Sequence, residues 1–125
     1  MSQPLSGRNV LIVEDESLVA MLLETILEDM GCTTVGPASS VEEGLALLEG
    51  GTALDAALLD VNVAGVKIFP IAEALAARGV PFVFSTGYGE GGLPDEWKGR
   101  PTLQKPFSEA AVQNALMTAL GMAKV

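Results

Sequence analysis

The fold is decided by the stretch Ala56-Ala57-Leu58-Leu59-Asp60-Val61-Asn62-Val63-Ala64-Gly65. Its first four residues are apolar with no polar alternation, which predicts a short strand buried on both faces, as in a parallel sheet. A single carboxylate, Asp60, ends this strand. In open parallel α/β sheets, ligands and chemistry gather at the carboxyl ends of the strands. Asp60 is therefore the first candidate for a functional residue.

Strand and helix signals alternate along the rest of the chain. Apolar or β-branched runs predict further strands at 9–13, 32–35, 81–86 and 102–104. Apolar residues at helical spacing predict helices at 19–30, 41–49, 70–79 and 109–119. This alternation favours a parallel sheet with helices on both faces. The segment 87–101 is rich in glycine and acid and lacks helical periodicity, so the fourth helix is predicted to be weak or mobile.

Capping residues predict where several helices begin and end. Ser40 and Glu43 have the spacing of a capping box at the start of the second helix. Pro70 suits the first turn of the third helix, where its missing N–H costs little. Ser108 can cap the last helix. Gly31 predicts the end of the first helix, because glycine takes the left-handed conformation without a Cβ penalty.

Length and composition limit the class of protein. The 125 residues suit one domain, with residues 1–7 as a flexible leader and residues 8–125 as the folded unit. Hydrophobic residues make up 49% of the chain, which argues against extensive disorder. The net charge of −9 opposes binding to nucleic acid or to an anionic membrane. The absence of histidine excludes Ser-His and Cys-His catalytic pairs and zinc sites with histidine ligands.

The cysteine content and the start of the chain favour a cytoplasmic protein. Cys32 is the only cysteine and cannot form an internal disulfide, which fits a reducing compartment. Residues 1–7 lack the apolar core of a signal peptide. No apolar run approaches the length needed to span a membrane. We therefore expect a cytoplasmic protein without a membrane partner.

Five polar residues lie at the ends of predicted strands or just after them: Glu14, Asp15, Asp60, Thr86 and Lys105. Each alone has an ordinary explanation, since a carboxylate or lysine after a strand usually faces water and threonine is a common strand residue. If the strands are parallel, however, all five residues share one edge of the sheet. This common placement favours a functional site.

The chemistry of such a site follows from its charges. Three carboxylates held close together repel one another, and a hard divalent cation such as Mg²⁺ relieves that repulsion. The backbone carbonyl of Asn62 can supply a further oxygen ligand. A carboxylate beside such a cation can act as a nucleophile toward phosphorus and form an aspartyl phosphate. Mg²⁺, the Thr86 hydroxyl and the Lys105 ammonium would then neutralise the phosphoryl oxygens.

At this point the chain resembles the receiver domain of bacterial two-component response regulators. Four segments resemble the signature segments of that family, in the same order: Val13-Glu14-Asp15-Glu16, Leu58-Leu59-Asp60-Val61-Asn62, Ser85-Thr86-Gly87 and Lys105-Pro106-Phe107. The resemblance covers nearly the whole chain. It implies a flavodoxin-like (βα)5 fold, with a doubly wound parallel sheet of strand order 2-1-3-4-5.

The resemblance also implies a role for each candidate residue. Asp60 would be the phosphoacceptor, Asp15 a direct Mg²⁺ ligand and Glu14 a ligand acting through water, while Thr86 and Lys105 would bind the phosphoryl oxygens. The implied donor is a histidine kinase or a histidine phosphotransfer protein, and a downstream protein target is the implied recipient of the signal. Such a domain is a signalling switch, whose only chemistry is phosphotransfer onto itself and its own dephosphorylation.

One position departs from the family pattern. Receivers usually carry Tyr or Phe in the fifth strand, three residues before the lysine, and this chain has Thr102 there. The segment Pro81-Phe82-Val83-Phe84-Ser85-Thr86-Gly87-Tyr88 instead resembles a subgroup named for a Phe-Ala-Thr-Gly-Tyr-type motif. That subgroup lacks the aromatic residue and has a mobile fourth crossover. We therefore expect phosphorylation to switch the segment 87–107 and to order residues 87–100, with Trp97 as the reporter.

Two cofactor or enzyme classes compete with this interpretation. Residues 87–92 spell G-x-G-x-x-G after a strand, but a dinucleotide-binding fingerprint belongs to the first βα unit and leads into an apolar helix. A flavodoxin-like cofactor binder would place its phosphate loop at Glu14-Asp15-Glu16, where carboxylates repel phosphate. A phosphatase of the haloacid dehalogenase type would need an acid at position 62, which is Asn62.

The remaining alternative is a pseudo-receiver that is never phosphorylated and acts only as a protein-interaction module. The sequence opposes it, because every position expected for cation binding, phosphoryl acceptance and phosphoryl binding carries a suitable residue. Detection of an aspartyl phosphate on Asp60 would separate the two classes.

Overall fold

The structure is a computed structural model that describes residues 5–86, 93–97, 99–105 and 107–121. Its strands are β1 (Asn9–Val13), β2 (Thr33–Ala38), β3 (Ala56–Asp60), β4 (Asn62–Val63), β5 (Val66–Lys67), β6 (Phe82–Thr86) and β7 (Thr102–Gln104). Its α-helices are α1 (Ser17–Asp29), α2 (Val41–Glu49), α3 (Phe69–Ala77) and α4 (Glu109–Ala119).

The main sheet has the predicted topology. Its five strands lie in the order β2-β1-β3-β6-β7, and every neighbouring pair is parallel. In the order of the five predicted strands this is 2-1-3-4-5, the doubly wound flavodoxin-like arrangement, and the prediction is confirmed. The strand β3 lies at the centre, and all of its residues are buried. The continuous apolar character of its first four residues fits this two-sided burial.

Helices cover both faces of the sheet. On one face α1 and α4 pack against β1, β3 and β6, with Leu27 and Leu116 among the buried contacts. On the other face α2 and α3 pack against the same strands, with Ile71 among the buried contacts. Successive residues of β3 point to opposite faces, so Leu58 belongs to the first core and Leu59 to the second.

Several predicted helix boundaries are confirmed, with one change in the capping box. The Ser40 hydroxyl accepts a hydrogen bond from the Glu43 N–H at 3.1 Å, as predicted. The Glu43 carboxylate, however, accepts from the N–H of Ser39 at 3.0 Å rather than from that of Ser40. The Ser108 hydroxyl caps α4 by accepting from the Ala111 N–H at 3.1 Å.

A short antiparallel hairpin between β3 and α3 was not predicted. It pairs Asn62 with Lys67 and Val63 with Val66. The two turn residues 64 and 65 have φ values of 51° and 82°, which is the pattern of a type I′ turn. Its strands of two residues are too short for a periodic signal, and alanine is rare at positive φ, so the sequence pattern did not indicate this hairpin.

The strand β2 is longer than predicted because it lies at the edge of the sheet. It continues through Gly36 and Pro37, which normally signal a turn. Proline is tolerated in an edge strand, since one side of the strand needs no N–H donor. Gly36 has a φ of 91°, and the pairing with β1 shifts register at this point.

The folded part of the chain begins earlier than predicted. Leu5, assigned to the flexible leader, is 1% exposed and packs in the core beneath α1 and α4. Its carbonyl accepts a contact of 3.4 Å from the Cys32 thiol, and the N–H of Gly7 donates to the carbonyl of Gly31. Residues 5–7 are therefore packed against the domain, and residues 1–4 lie outside the described residues.

The crossover between β6 and β7 has no α-helix in its described residues. It contains one 3₁₀ turn, Asp95–Trp97, which agrees with the predicted weak fourth helix. Trp97 is 5% exposed and packs against three aromatic rings: Phe69 at 6.3 Å, Phe82 at 5.8 Å and Phe84 at 6.1 Å. The mobility predicted for 87–100 stays a prediction, because residues 87–92 and 98 lie outside the described residues.

None of the helices in the described part of the chain is both long enough and apolar enough to cross a membrane.

Candidate phosphoacceptor site

Strand register brings the candidate residues to one edge of the sheet. Val13 pairs with Leu59, so the next residues, Glu14 and Asp60, emerge side by side from two neighbouring parallel strands. Thr86 pairs with Gln104 on the far side of β3, and the N–H of Lys105 donates to the carbonyl of Thr86 at 2.9 Å. The carboxyl ends of parallel strands thus collect these side chains, as the sequence predicted.

Three carboxylates cluster at this edge. One oxygen each of Glu14, Asp15 and Asp60 lies within 4.8 Å of the others. Glu14 and Asp60 are 2% and 3% exposed, whereas Asp15 is exposed. The cluster therefore has a buried floor and an open side.

Lys105 is the cation of the site. Its Nζ lies 3.1 Å from Glu14 Oε1, 3.3 Å from Asp60 Oδ2 and 3.4 Å from Glu16 Oε1. Burial alone would lower the pKa of Lys105, but the neighbouring carboxylates of Glu14 and Asp60 outweigh it and raise the pKa above its usual range. Lys105 therefore stays charged at all ordinary pH values.

Glu14 has a strongly perturbed environment. Burial raises its pKa from 4.5 to about 7, and the negative charge of Asp60 adds to the increase. The Glu16 N–H, which donates to Glu14 Oε2 at 3.1 Å, and the Lys105 ammonium act in the opposite direction. Glu14 is thus held close to the point where it loses its proton at neutral pH.

The donor set fits a hard divalent cation. Among the described residues, the buried Glu14 Oε1 accepts no hydrogen bond, although the Lys105 ammonium lies nearby. A buried carboxylate oxygen that meets its neighbouring cation only as an ion pair, beside two further carboxylates, is a chemically suitable place for Mg²⁺, which prefers oxygen ligands and retains several waters. The carboxylates Glu14, Asp15 and Asp60 would hold such an ion.

Asn62 and Thr86, two further predicted site residues, also lie at this edge, and each makes a hydrogen bond. The N–H of Asn62 donates to Asp60 Oδ1 at 3.2 Å, which orients the aspartate, while a metal contact of the Asn62 carbonyl stays a prediction. The Thr86 hydroxyl donates to the carbonyl of Leu103 at 3.5 Å, a long and weak hydrogen bond. Binding a phosphoryl group on Asp60 would require this hydroxyl to turn away from Leu103.

Glu16 is a site residue for which the sequence indicated no role. It belongs to the acidic run Glu14-Asp15-Glu16, but only the contact with Lys105, which is 89 residues away in the chain, shows that it faces the site. The acidic run itself was the available signal, and a run of charges is more often simply solvated.

Comparisons with known proteins agree with this geometry. The family model of the response regulator receiver domain matches residues 10–117 of this sequence. The phyllosphere-induced regulator PhyR of Methylorubrum extorquens is 31% identical over 117 residues, which are 89% of this chain and 43% of PhyR. The chain thus spans less than half of the length of that curated relative.

Solved structures show the same relationship. The solution structure of SdrG from Sphingomonas melonis Fr1 is 46% identical, with a TM-score of 0.83, and the match covers 98% of this chain and 100% of SdrG. The solution structure of the BeF3-activated conformation of SdrG matches with a TM-score of 0.77 over 92% of this chain and 98% of SdrG. With its parallel sheet of matching order, its acidic cluster and its lysine, the chain belongs to the response regulator receiver domain family.

Proposed function

We propose that this domain accepts a phosphoryl group on Asp60 from a phosphohistidine, in a Mg²⁺-dependent reaction. The observation that carries the proposal is the position of Asp60 on the buried floor of the site, with Lys105 Nζ 3.3 Å from its Oδ2 and two further carboxylates beside it. Burying an isolated carboxylate costs free energy, and the nearby Lys105 ammonium offsets that cost. The same arrangement suits a group that gains a phosphoryl dianion.

The reaction balances without a further reactant. A carboxylate oxygen of Asp60 attacks phosphorus and the P–N bond to the imidazole breaks. The donor ring, protonated on its other nitrogen, leaves as neutral imidazole. Lys105 and Thr86 bind the phosphoryl oxygens, and the Asn62 N–H keeps the attacking carboxylate oriented through Oδ1. Asp15, Asp60 and the Asn62 carbonyl, with Glu14 acting through water, would hold Mg²⁺, and the ion would supply positive charge that offsets the charge of the transferred group.

The donor proposed for this reaction is a histidine kinase or a histidine phosphotransfer protein. The first half of α1 supports a protein donor, because it exposes an apolar surface next to the site. This α1 stripe consists of Leu18, Met21 and Leu22, which are 80%, 59% and 46% exposed. The spacing i, i+3, i+4 places them on one face of the helix. A protein covering this stripe would reach over the edge that holds Asp60.

The proposal predicts an alkali-labile acyl phosphate. We expect acetyl phosphate or phosphoramidate with Mg²⁺ to add one phosphoryl group, detected by intact mass and lost after mild alkali treatment. Asp60→Asn should abolish the modification. Glu28→Gln removes one carboxylate from the exposed surface of α1, so it serves as the control that keeps the modification.

Failure of every phosphodonor would reject the proposal. If neither small donors nor a panel of phosphorylated histidine proteins modifies the wild-type chain, the pseudo-receiver that acts only through protein contacts becomes the better explanation. Modification that persists in Asp60→Asn would place the acceptor elsewhere.

A further inference from the structure

Glu16 places a negative charge at the mouth of the acceptor site. Its side chain is 64% exposed, whereas Glu14 and Asp60, the other carboxylates on the Lys105 ammonium, are almost fully buried. Glu16 is therefore the solvent-facing member of the three, and a phosphodonor that approaches Asp60 passes its charge.

The backbone keeps this charge in place. The N–H of Glu16 donates to Glu14 Oε2 at 3.1 Å, and its carbonyl accepts from the N–H of Ala20 in the first turn of α1 at 2.9 Å. One partner is a buried side chain and the other lies in the first turn of the helix. The backbone of Glu16 is thus held at the rim of the site, and its carboxylate lies 3.4 Å from Lys105 Nζ.

A fixed negative charge affects donors according to their own charge. Free phosphodonors are anions, and each unit of their charge is repelled by Glu16. We take a water-like dielectric, low salt and a separation of about one to two side-chain lengths. The repulsion then lowers the rate of phosphorylation about twofold per unit of donor charge. A protein donor can cancel the repulsion by placing a cationic side chain against Glu16.

The position of Glu16 next to the α1 stripe favours such a contact. Leu18, the first and most exposed residue of the stripe, follows Glu16 by two positions in the chain. A protein that covers the stripe therefore also covers Glu16 and would desolvate its carboxylate. An uncompensated charge at a covered position is costly, so the complementary partner carries Lys or Arg there.

We infer that Glu16 is a specificity-determining residue for phosphodonors, which disfavours free anionic donors and selects a protein donor that presents a cation beside its phosphohistidine. This inference rests on the proposed acceptor function of Asp60. It concerns the choice of donor rather than the transfer step, which belongs to Asp60, Lys105 and Thr86.

The first test compares two small donors of different charge. Acetyl phosphate is a dianion and phosphoramidate a monoanion at neutral pH, and rates are measured at saturating Mg²⁺ and low salt. We expect Glu16→Gln to accelerate phosphorylation about fourfold with acetyl phosphate and about twofold with phosphoramidate. Glu28→Gln, with the same change in net charge, should leave both rates unchanged, and Glu16→Asp should retain the wild-type discrimination.

The second test asks whether the domain prefers donors that carry a cation beside the phosphohistidine. Two synthetic phosphohistidine peptides are compared, one with lysines and one with alanines beside the phosphohistidine. The wild-type domain should react several-fold faster with the lysine peptide, and Glu16→Gln should lose most of this preference. Both effects should disappear in about 1 M salt, where the screening length falls to about 3 Å.

Three results would overturn the inference: equal acceleration with both small donors, the same acceleration in Glu28→Gln, or effects that persist at high salt. Unchanged rates in Glu16→Gln, with normal modification of Asp60, would reject the role of Glu16 and leave the acceptor function intact. If the wild-type domain accepts no phosphoryl group from any donor, both proposals fail together.

Discussion

The protonation of Glu14 is controlled by its burial beside Asp60. Its side chain carries one oxygen that accepts no hydrogen bond among the described residues, and its pKa rises from 4.5 to about 7. Such a group is costly to ionise, so its protonation is a sensitive probe of the acidic cluster. The free-energy cost of ionising buried Glu14 is thus a cost that the proposed metal ion would reduce.

The raised pKa of Glu14 predicts that the free energy of unfolding depends on pH when divalent cations are absent. Because the pKa is higher in the folded than in the unfolded chain, the folded state binds more protons between about pH 4.5 and 7. The contribution to stability is therefore fully present below pH 4.5 and is lost as the pH rises toward 7. Urea unfolding of wild type and Glu14→Gln should show a difference that changes by about 2 kcal/mol across this range.

The comparison with Glu14→Gln removes the contributions of other titrating groups. Glutamine occupies a similar volume and stays neutral at every pH. If the two stability curves run parallel between pH 4.5 and 7, the raised pKa of Glu14 is wrong.

At the scale of elements, α2 packs against α3 through a glycine. Gly44 is buried in the middle of α2, and a Cβ there would lie 2.5 Å from the Cδ1 of Ile71, which is fully buried in α3. Glycine inside a helix usually costs about 1 kcal/mol relative to alanine. Close approach of the two helices explains why this helix keeps it.

Gly44→Ala should therefore destabilise the domain, although alanine is the better helix former. We expect the free energy of unfolding to fall by about 1 kcal/mol, because the overpacking outweighs the gain in helix propensity. Gly50→Ala, at a C-cap with ordinary helical dihedral angles and no close contact, should be neutral or slightly stabilising. Thermal or urea unfolding measures both.

A double variant identifies the contact responsible. Ile71→Val removes the Cδ1 atom and should cost about 1 kcal/mol alone, but it should relieve part of the penalty of Gly44→Ala. Additive effects of the two substitutions would show that the Cδ1 contact is not the cause.

At the scale of the whole molecule, the aromatic cluster links the acceptor site to the β6–β7 crossover. Phe84 lies two residues before Thr86 on β6, and Phe69 begins α3, which follows Asp60 through the hairpin. Trp97 contacts both rings, and its indole is stacked on Phe69 with an interplanar angle of 7°. A shift of Thr86 toward a phosphoryl group would therefore disturb the surroundings of Trp97.

Phosphorylation should change the fluorescence of Trp97, the only tryptophan. We expect a shift in emission, together with slower hydrogen exchange in the crossover, when the wild-type domain is treated with a phosphodonor and Mg²⁺. The Asp60→Asn variant should show neither change. If emission and exchange stay the same while an acyl phosphate forms, the signal does not pass through the crossover, and the predicted switch of 87–107 is wrong.

The residues that meet at the proposed phosphoacceptor edge were predictable from the sequence, because their grouping depends on a simple rule. Apolar runs predicted the strands, and the carboxyl ends of parallel strands meet at one edge, so the sequence pattern alone groups Glu14, Asp60 and Lys105. The two-sided burial of β3 followed from its unbroken apolar run in the same way. These features depend on local patterns of a few residues.

The contacts between individual atoms depend on how the whole chain packs. The contact of Glu16 with Lys105, the burial of Leu5 and the hydrogen bond from Thr86 to Leu103 join residues that are distant in the chain. Their geometry depends on strand register and on how helices pack over the sheet, which local periodicity does not encode. Local sequence patterns therefore predicted the fold and the residues that meet at this edge of the sheet, while long-range packing set the partners of each side chain.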